Sequence, residues 1–280
     1  MTGKEHFSER LERIQPLLDR LLGTPLELEQ LKHKPGRRLT LRAIGPAGRA
    51  IVKLYVSGRA PTVAARVGAL AAGPPEPTVP KVLLVDPDLR VVVLSDLCGP
   101  PLRAFVLAGD EGACRRAGAA LGAWHRFWHE SPAPAALAWH SSQREFELLE
   151  GRARGAPPSI ARTAVSLAAA LAGPWPCSTV VHRDLYEEQV LLGERAALID
   201  LDDTALGPPE LDLGNLMAHL ELLGSRAGRP LNSEADALLS GYRGAGGELD
   251  AALLDRCRRL SLLRLACVHR EPSLIEAVAA

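Results

Sequence analysis

The sequence predicts an α+β chain in two parts, a small antiparallel-sheet lobe followed by a larger, mainly helical one. Three observations carry that expectation. Residues 26–55 alternate apolar and polar side chains in three short runs, broken by Pro-Gly and Gly-Pro turns. Beyond residue 101 the apolar positions recur at helical spacing over most of the chain. Between 180 and 203 the helical pattern stops, and two short apolar runs meet at a turn of Gly193, Glu194 and Arg195.

Residues 4–22 open the chain as a helix. Phe7, Leu11, Ile14, Leu17, Leu18, Leu21 and Leu22 form its apolar stripe, and Gly23 and Pro25 close it. Strands are expected over 26–33, 38–44 and 50–55, joined at Pro35 and Gly36 and again at 45–48, as an antiparallel meander. Residues 61–72 are Ala-rich and read as helix. Residues 73–80 carry four prolines and read as loop. A second hairpin is expected from 82–85 and 91–94, turning at Asp86, Pro87 and Asp88. Cys98 to Pro101 reads as a hinge, which divides the chain into a lobe at 1–97 and a lobe at 98–280. Most of 102–173 reads as helix, most strongly at 113–129, where Leu121, Trp124 and Trp128 share a face, and then at 146–150 and 160–171. Three more helices are expected over 213–223, 234–242 and 253–268.

Composition narrows the class. A hydrophobic content of 47% over 280 residues supports a sizeable core. Lys+Arg and Asp+Glu both number 33, so the net charge is zero. Residues 1–100 hold 15 basic against 10 acidic side chains, and the rest 18 against 23. That imbalance suits a polyanion on one side and a cation on the other, and chance produces it as readily. No basic run with interleaved aromatics points to nucleic acid. Five cysteines, an odd number without a C-x-x-C pair, indicate neither a disulfide framework nor a zinc knuckle. The polar start is no signal peptide, and no apolar run reaches the ~18 residues of a membrane span. A reduced, cytoplasmic protein is expected.

The chemistry gathers at 180–203. Asp184 falls on a loop, Gln189 five residues on, and Asp200 at the end of an apolar strand. A hairpin of 190–192 and 196–199 brings all three to one spot. One carboxylate to handle a hydroxyl proton, with two oxygen ligands for Mg²⁺, is the minimum equipment for phosphoryl transfer. Lys53 adds to it. In a chain with 28 Arg and 5 Lys, it sits among apolar residues on a strand, where an ammonium suits nucleotide phosphates. Taken alone, the pattern suits an exposed strand lysine equally; with the 180–203 segment, phosphate binding is expected.

A strand lysine, the His182, Arg183, Asp184 loop with Gln189 after it, the hairpin, the Ile199-Asp200 strand and the Gly207-to-Leu213 segment together resemble the aminoglycoside phosphotransferase and choline kinase group. That group is distantly related to the protein kinases. The resemblance runs over roughly 25–270, with specific motifs at 182–213. It implies a two-lobed protein-kinase-like fold that moves the γ-phosphoryl group of ATP or GTP to a small-molecule hydroxyl. By position it implies Asp184 as catalytic base, with Asp200 and Gln189 as the ligands of Mg²⁺. Lys53 would pair with the phosphates, helped by Arg38 of the basic turn at 32–38. Residues 93–97, among them Ser95 and Leu97, would receive adenine through their backbone. Asp212 would hold the catalytic loop. His182, Arg183, Tyr186, Glu188 and Asp202 would support that loop or touch substrate.

Three departures open an alternative. Gln189 stands where Asn is usual, and its extra methylene displaces the ligand oxygen by ~1.5 Å on a fixed backbone. No acidic residue lies in 60–72 to partner Lys53, and the first turn holds one glycine where several are usual. A nucleotide-binding pseudokinase or regulatory protein therefore stands beside the enzyme. A remoter alternative is the Asp-x-Asp-x-Thr look of 200–204, which resembles haloacid dehalogenase-like phosphatases with Asp200 as nucleophile. Only 76 residues follow Thr204, and they contain no Lys. His125 and His129 stand at i, i+4, but Arg126 occupies the place of the zinc-protease Glu, so helix-end packing is expected. The acceptor stays open: the acidic second lobe allows a cationic amino-sugar or amino-alcohol, and a sugar, amino acid or nucleoside equally.

Overall fold

The structure, a computed structural model, describes residues 5–279 and divides into two compact units. The first comprises the chain up to Ala72 together with Val79–Cys98. It contains α1 (Glu5–Leu22), β1 (Glu27–Lys34), β2 (Arg38–Gly45), β3 (Gly48–Tyr55), α2 (Ala60–Ala69), β4 (Val82–Asp86) and β5 (Val91–Ser95). Residue 4, the expected start of the first helix, lies outside the described residues. The five strands pair antiparallel in the order β1-β2-β3-β5-β4. The apolar stripe of α1 buries Ile14 and Leu18 on one sheet face, against Leu41 and Ala43 of β2, Val52 and Leu54 of β3 and Val93 of β5. Strand alternation then turns Lys53 to the opposite face. Strands run a residue or two past their apolar alternation, because ladder hydrogen bonds need no apolar side chain.

The second unit comprises Gly73–Thr78 and the chain from Gly99 onward. Its helices are α3 (Leu102–Ala108), α4 (Glu111–Glu130), α5 (Ser142–Ala153), α6 (Pro158–Ala170), α7 (Pro209–Ala227), α8 (Asn232–Gly244), α9 (Ala251–His269) and α10 (Ser273–Ala279). Two short ladders lie among them, β6 (Thr179–Val181) with β9 (Ala205–Gly207), and β7 (Val190–Leu192) with β8 (Ala196–Leu198). Asp110 caps α4 by accepting from Ala113 N at 2.9 Å, and Asp250 caps α9. Trp124 and Trp128 pack edge to face and are buried, Trp124 wholly. His125 and His129 bind neighbouring protein groups, His125 through Asp212 and Tyr242 and His129 through the Ser178 carbonyl.

Residues 98–101, read as a hinge, are pinned in part. Leu192 N donates to Pro100 O at 2.9 Å, and Pro101 bridges Leu191. The phosphatase reading of 200–204 fails. Leu201–Asp203 is a single 3-10 turn, and the named sheets are antiparallel throughout, whereas that chemistry needs a parallel α/β layer. Among the described residues no helix is long and apolar enough to cross a membrane.

Candidate active site

The site is built on the loop that leaves β6. Asp212, in the first turn of α7 and 1% exposed, uses both oxygens to hold it: His182 N donates to Oδ2 at 2.6 Å and Arg183 N to Oδ1 at 2.7 Å. Asp212 is itself oriented by His125 Nε2 at 3.2 Å, whose Nδ1 lies 3.0 Å from the Tyr242 hydroxyl. Burial, then the charges of Glu210 and Asp212, push the Tyr242 phenol far above its usual range, so it stays a neutral hydroxyl. His182 Nε2 donates to Ile199 O at 2.8 Å, and Asn215 Nδ2 to Leu185 O at 2.7 Å. The loop is thus tied to α7 on one side and to the end of β8 on the other, with Asp184 half-exposed at its tip.

The hairpin supplies the second part. Ile199 N donates to Gln189 O at 3.0 Å, extending the β7–β8 ladder by one pair, so Gln189 and Asp200 leave its open end together. Two non-glycine residues here adopt left-handed backbone, Arg183 at φ 71° and Asp200 at φ 60°. Such conformations cost about 1–3 kcal/mol each and persist where surrounding bonds over-determine them. Here the Asp212 carboxylate and an Arg183 Nη1 bond to Asp203 O at 3.2 Å provide that constraint. Tyr186 reports how the carboxylates converge. Burial first, then the charges of Asp184 and Asp200, push its phenol up to about 12.

Acidic and basic side chains alternate along the loop's other flank. Tyr186 stacks on His219 of α7 at 4.8 Å and 21°. Burial, then Arg264, His269 and Arg226, push His219 down to about 3. Its 3.8 Å approach to Glu187 is therefore no ion pair at neutral pH. Arg103 takes Glu187 at 3.1 Å and Glu188 at 3.4 Å. Burial raises the Glu187 carboxyl, and the bond from Arg103 offsets only part of that. For Glu145 burial acts upward too, but the His140 bond at 2.9 Å and the charges of Arg264 and Arg183 outweigh it and hold the carboxyl low.

The structure brings His182, Arg183, Asp184, Tyr186, Gln189, Asp200 and Asp212 together within the second unit. Asp202 is buried in the turn after Asp200, and Glu188 is exposed beside Arg103. Lys53, Arg38, Ser95 and Leu97 belong to the first unit. Lys53 is 4% exposed and sits between Thr40 of β2 and Val92 of β5. Arg38 opens β2, buried. Ser95 Oγ accepts from Lys81 N at 2.9 Å, and Leu97 is half-buried beyond β5. The helix α2 carries no acidic residue. Sequence reasoning missed Glu145, Asn215, His219 and Arg264. For Arg264 a signal existed: it is a lone charge within LSLLRLACV at 260–268, the same kind of anomaly that singles out Lys53. A cavity of about 880 Å³ between α7, α8 and α9, lined by Met217, Leu231 and Leu254, holds none of these residues.

A five-stranded antiparallel sheet unit, followed by a helical unit that carries an Asp184 loop and a Gln189–Asp200 hairpin, defines a protein-kinase-like phosphotransferase. The chain belongs to the phosphotransferase enzyme family, whose pattern matches residues 36–255. No curated protein matches the sequence. Among solved structures, a macrolide 2'-phosphotransferase from Brachybacterium faecium is similar at 18% identity and TM-score 0.60, with 97% of each chain covered. A choline kinase from Streptococcus pneumoniae is similar at 15% identity and TM-score 0.65, over 96% of this chain and 98% of that one. An amicoumacin kinase solved with AMP-PNP and Ca²⁺ is similar at 14% identity and TM-score 0.64, over 99% and 93%. At such identities the likeness establishes the fold, two-lobed with a small antiparallel sheet and a mainly helical part. Family and fold together support a small-molecule phosphotransferase.

Proposed function

We propose that the protein transfers the γ-phosphoryl group of ATP or GTP to a hydroxyl of a small molecule, with Asp184 as the catalytic base. The observation that carries this is the Asp184 loop, held by Asp212 and Asn215 next to a hairpin that ends in Gln189 and Asp200. As a new bond forms between the acceptor oxygen and the γ-phosphorus, the bond from that phosphorus to the bridging oxygen breaks and the nucleoside diphosphate leaves. The acceptor's proton passes to Asp184. Such chemistry depends on positioning and charge more than on covalent catalysis, and a clamped loop is suited to it.

The donor set fits Mg²⁺. One carboxylate and one amide oxygen are hard ligands, and Mg²⁺ takes one or two protein oxygens beside substrate phosphates and water. Asp200 and Gln189 would hold it, and bound there it would neutralise phosphate charge. The first unit's part is nucleotide binding: Lys53, with Arg38, faces the phosphates, and the backbone of 93–97, including Ser95 and Leu97, receives the base. The nucleotide and divalent cation in the amicoumacin kinase structure support this assignment by fold. In Asp184→Ala, turnover is expected to fall to background while the affinity for a non-hydrolysable nucleotide changes little. Turnover at the wild-type rate would remove Asp184 from the role of base.

A second reading has its own observations, the acid-free α2 and Gln189. In it the protein binds nucleotide with Mg²⁺ and transfers nothing. Nucleotide binding without transfer to any of a broad panel of hydroxyl compounds favours it, and measurable transfer eliminates it.

A further inference from the structure

Arg264 projects from the middle of α9 to three separate elements. Its Nη2 donates to Asn215 Oδ1, its Nη1 stands 3.8 Å from Asp184 Oδ1, and its Nε stands 3.8 Å from Glu145 Oε1. The Nε is buried without a hydrogen-bond partner. A guanidinium that served only to hold Asp184 would close to a charge-assisted bond of about 2.7–2.9 Å. At 3.8 Å Nη1 is left uncommitted beside the base, and the side chain keeps 16% of its surface open next to the 42% of Asp184.

Most neighbouring carboxylates are held by protein groups: Glu145 Oε2 binds His140, Glu187 Oε1 and Glu188 bind Arg103, and Asp212 binds the loop amides. Glu187 Oε2 has no hydrogen bond, but it is buried. Asp184 stands 3.8 Å from Arg264 Nη1, and the acceptor hydroxyl requires it. An ammonium group on the acceptor would have to compete with Arg103 or with that hydroxyl. An anion would find Arg264, with Arg183 close enough to act on Glu145 as well. His219 is neutral there and offers no repulsion to a cation, but no attraction either.

Resting on the phosphotransferase reading above, we propose that the acceptor is a hydroxy-carboxylate. Its hydroxyl approaches Asp184, its carboxylate is received by Arg264, and its carbon frame lies against the Tyr186–His219 stack. With Nη2 on Asn215 and Nε buried, Arg264 offers the carboxylate one charge-assisted bond, from Nη1. Because Arg264 stands beside the base, it also screens the acceptor's negative charge from that of Asp184. The opposite charge preference, for amino-sugars or amino-alcohols, is the one that the acidic balance of residues 101–280 would suggest. That balance counts the whole lobe, whereas the uncommitted donor beside Asp184 is a cation.

The test uses the full chain with Mg²⁺ and a panel of small hydroxy acids, each beside its primary amide and the corresponding amino alcohol. Binding is read as thermal stabilisation in the presence of a non-hydrolysable ATP analogue, and turnover as acceptor-dependent ADP release with ATP. At least one acid is expected to bind, and to be phosphorylated with kcat/KM about 100-fold above its amide, the size of a charge-assisted bond. Arg264→Gln is expected to lose most of that ratio, and Arg264→Lys, which keeps the charge but not the Nη1 position fixed by Asn215, part of it. Unchanged stabilisation by the nucleotide analogue shows that a variant is folded. Were the Gln variant unfolded, the Lys variant carries the comparison. The proposal falls if amides or amino alcohols match the acids, if the folded variants keep the preference, or if no acid binds. If acids bind through Arg264 but no ADP forms, the anion site stands and the transferase reading falls.

Discussion

Asp212 accepts from two backbone amides that nothing else in the loop satisfies, so its charge and both its oxygens matter. Asp212→Asn replaces one acceptor by a donor that faces an N–H. A loss of about 2 kcal/mol in urea unfolding is expected, with a fall in kcat and little change in nucleotide affinity. His219 gives a pH signature. Its folded value, about 3, lies below its ordinary 6.5, so the unfolded chain binds more protons between the two. The stability contributed by neutral His219 is thus full above 6.5 and is lost as the pH falls towards 3. His219→Phe keeps a ring on Tyr186 and removes the proton site. The gap in unfolding free energy between wild type and variant should therefore shift against the wild type as the solution is acidified. Residue-scale legibility followed chemistry rather than location. Asp184, Gln189 and Asp200 announce themselves because they fall close together in one short segment. Asn215 and Arg264 reach the same loop from two helices remote in sequence, and helical periodicity treats both as ordinary positions.

Between elements, glycine sets how close helices come. A Cβ on Gly118 of α4 would overlap the backbone carbonyl of Leu238, and one on Gly241 of α8 that of Arg115. The two helices therefore cross backbone to backbone. Gly241→Ala should cost about 2–3 kcal/mol in thermal or urea unfolding, since overpacking at a backbone contact has no side chain to yield. Gly214 plays the same part between α7 and α9, where an added Cβ would lie 2.6 Å from Arg258 N. That close approach carries Asn215 and Arg264 into contact, so a packing requirement and the placement of a polar pair share one residue. Long amphipathic elements such as α1 and the β2–β3 pair could be read from periodicity. The β6–β9 ladder could not, because three residues give no measurable period and its strands are separated by the whole loop and hairpin that they frame.

At the scale of the molecule, the order of sheet and helices was legible because alternation marks most of 26–94 and helical spacing most of the chain beyond 101. The allocation of residues 73–78 was not. That proline-rich stretch follows α2 in sequence yet groups with the helical unit. Thr78 N donates to Ala196 O at 2.8 Å, Leu198 N to Thr78 O at 2.9 Å, and Ala196 N to the Glu76 carboxylate at 2.6 Å. Thr78 therefore continues the β7–β8 ladder as a parallel bridge to Ala197. The chain crosses between its units three times, not once. A recombination event that exchanged everything before residue 99 would replace the edge partner of β8 along with the sheet. The hairpin bearing Gln189 and Asp200 would then arrive beside a stranger's proline loop. Lineages of such proteins should inherit residues 73–78 with the catalytic half, or else inherit the two halves whole.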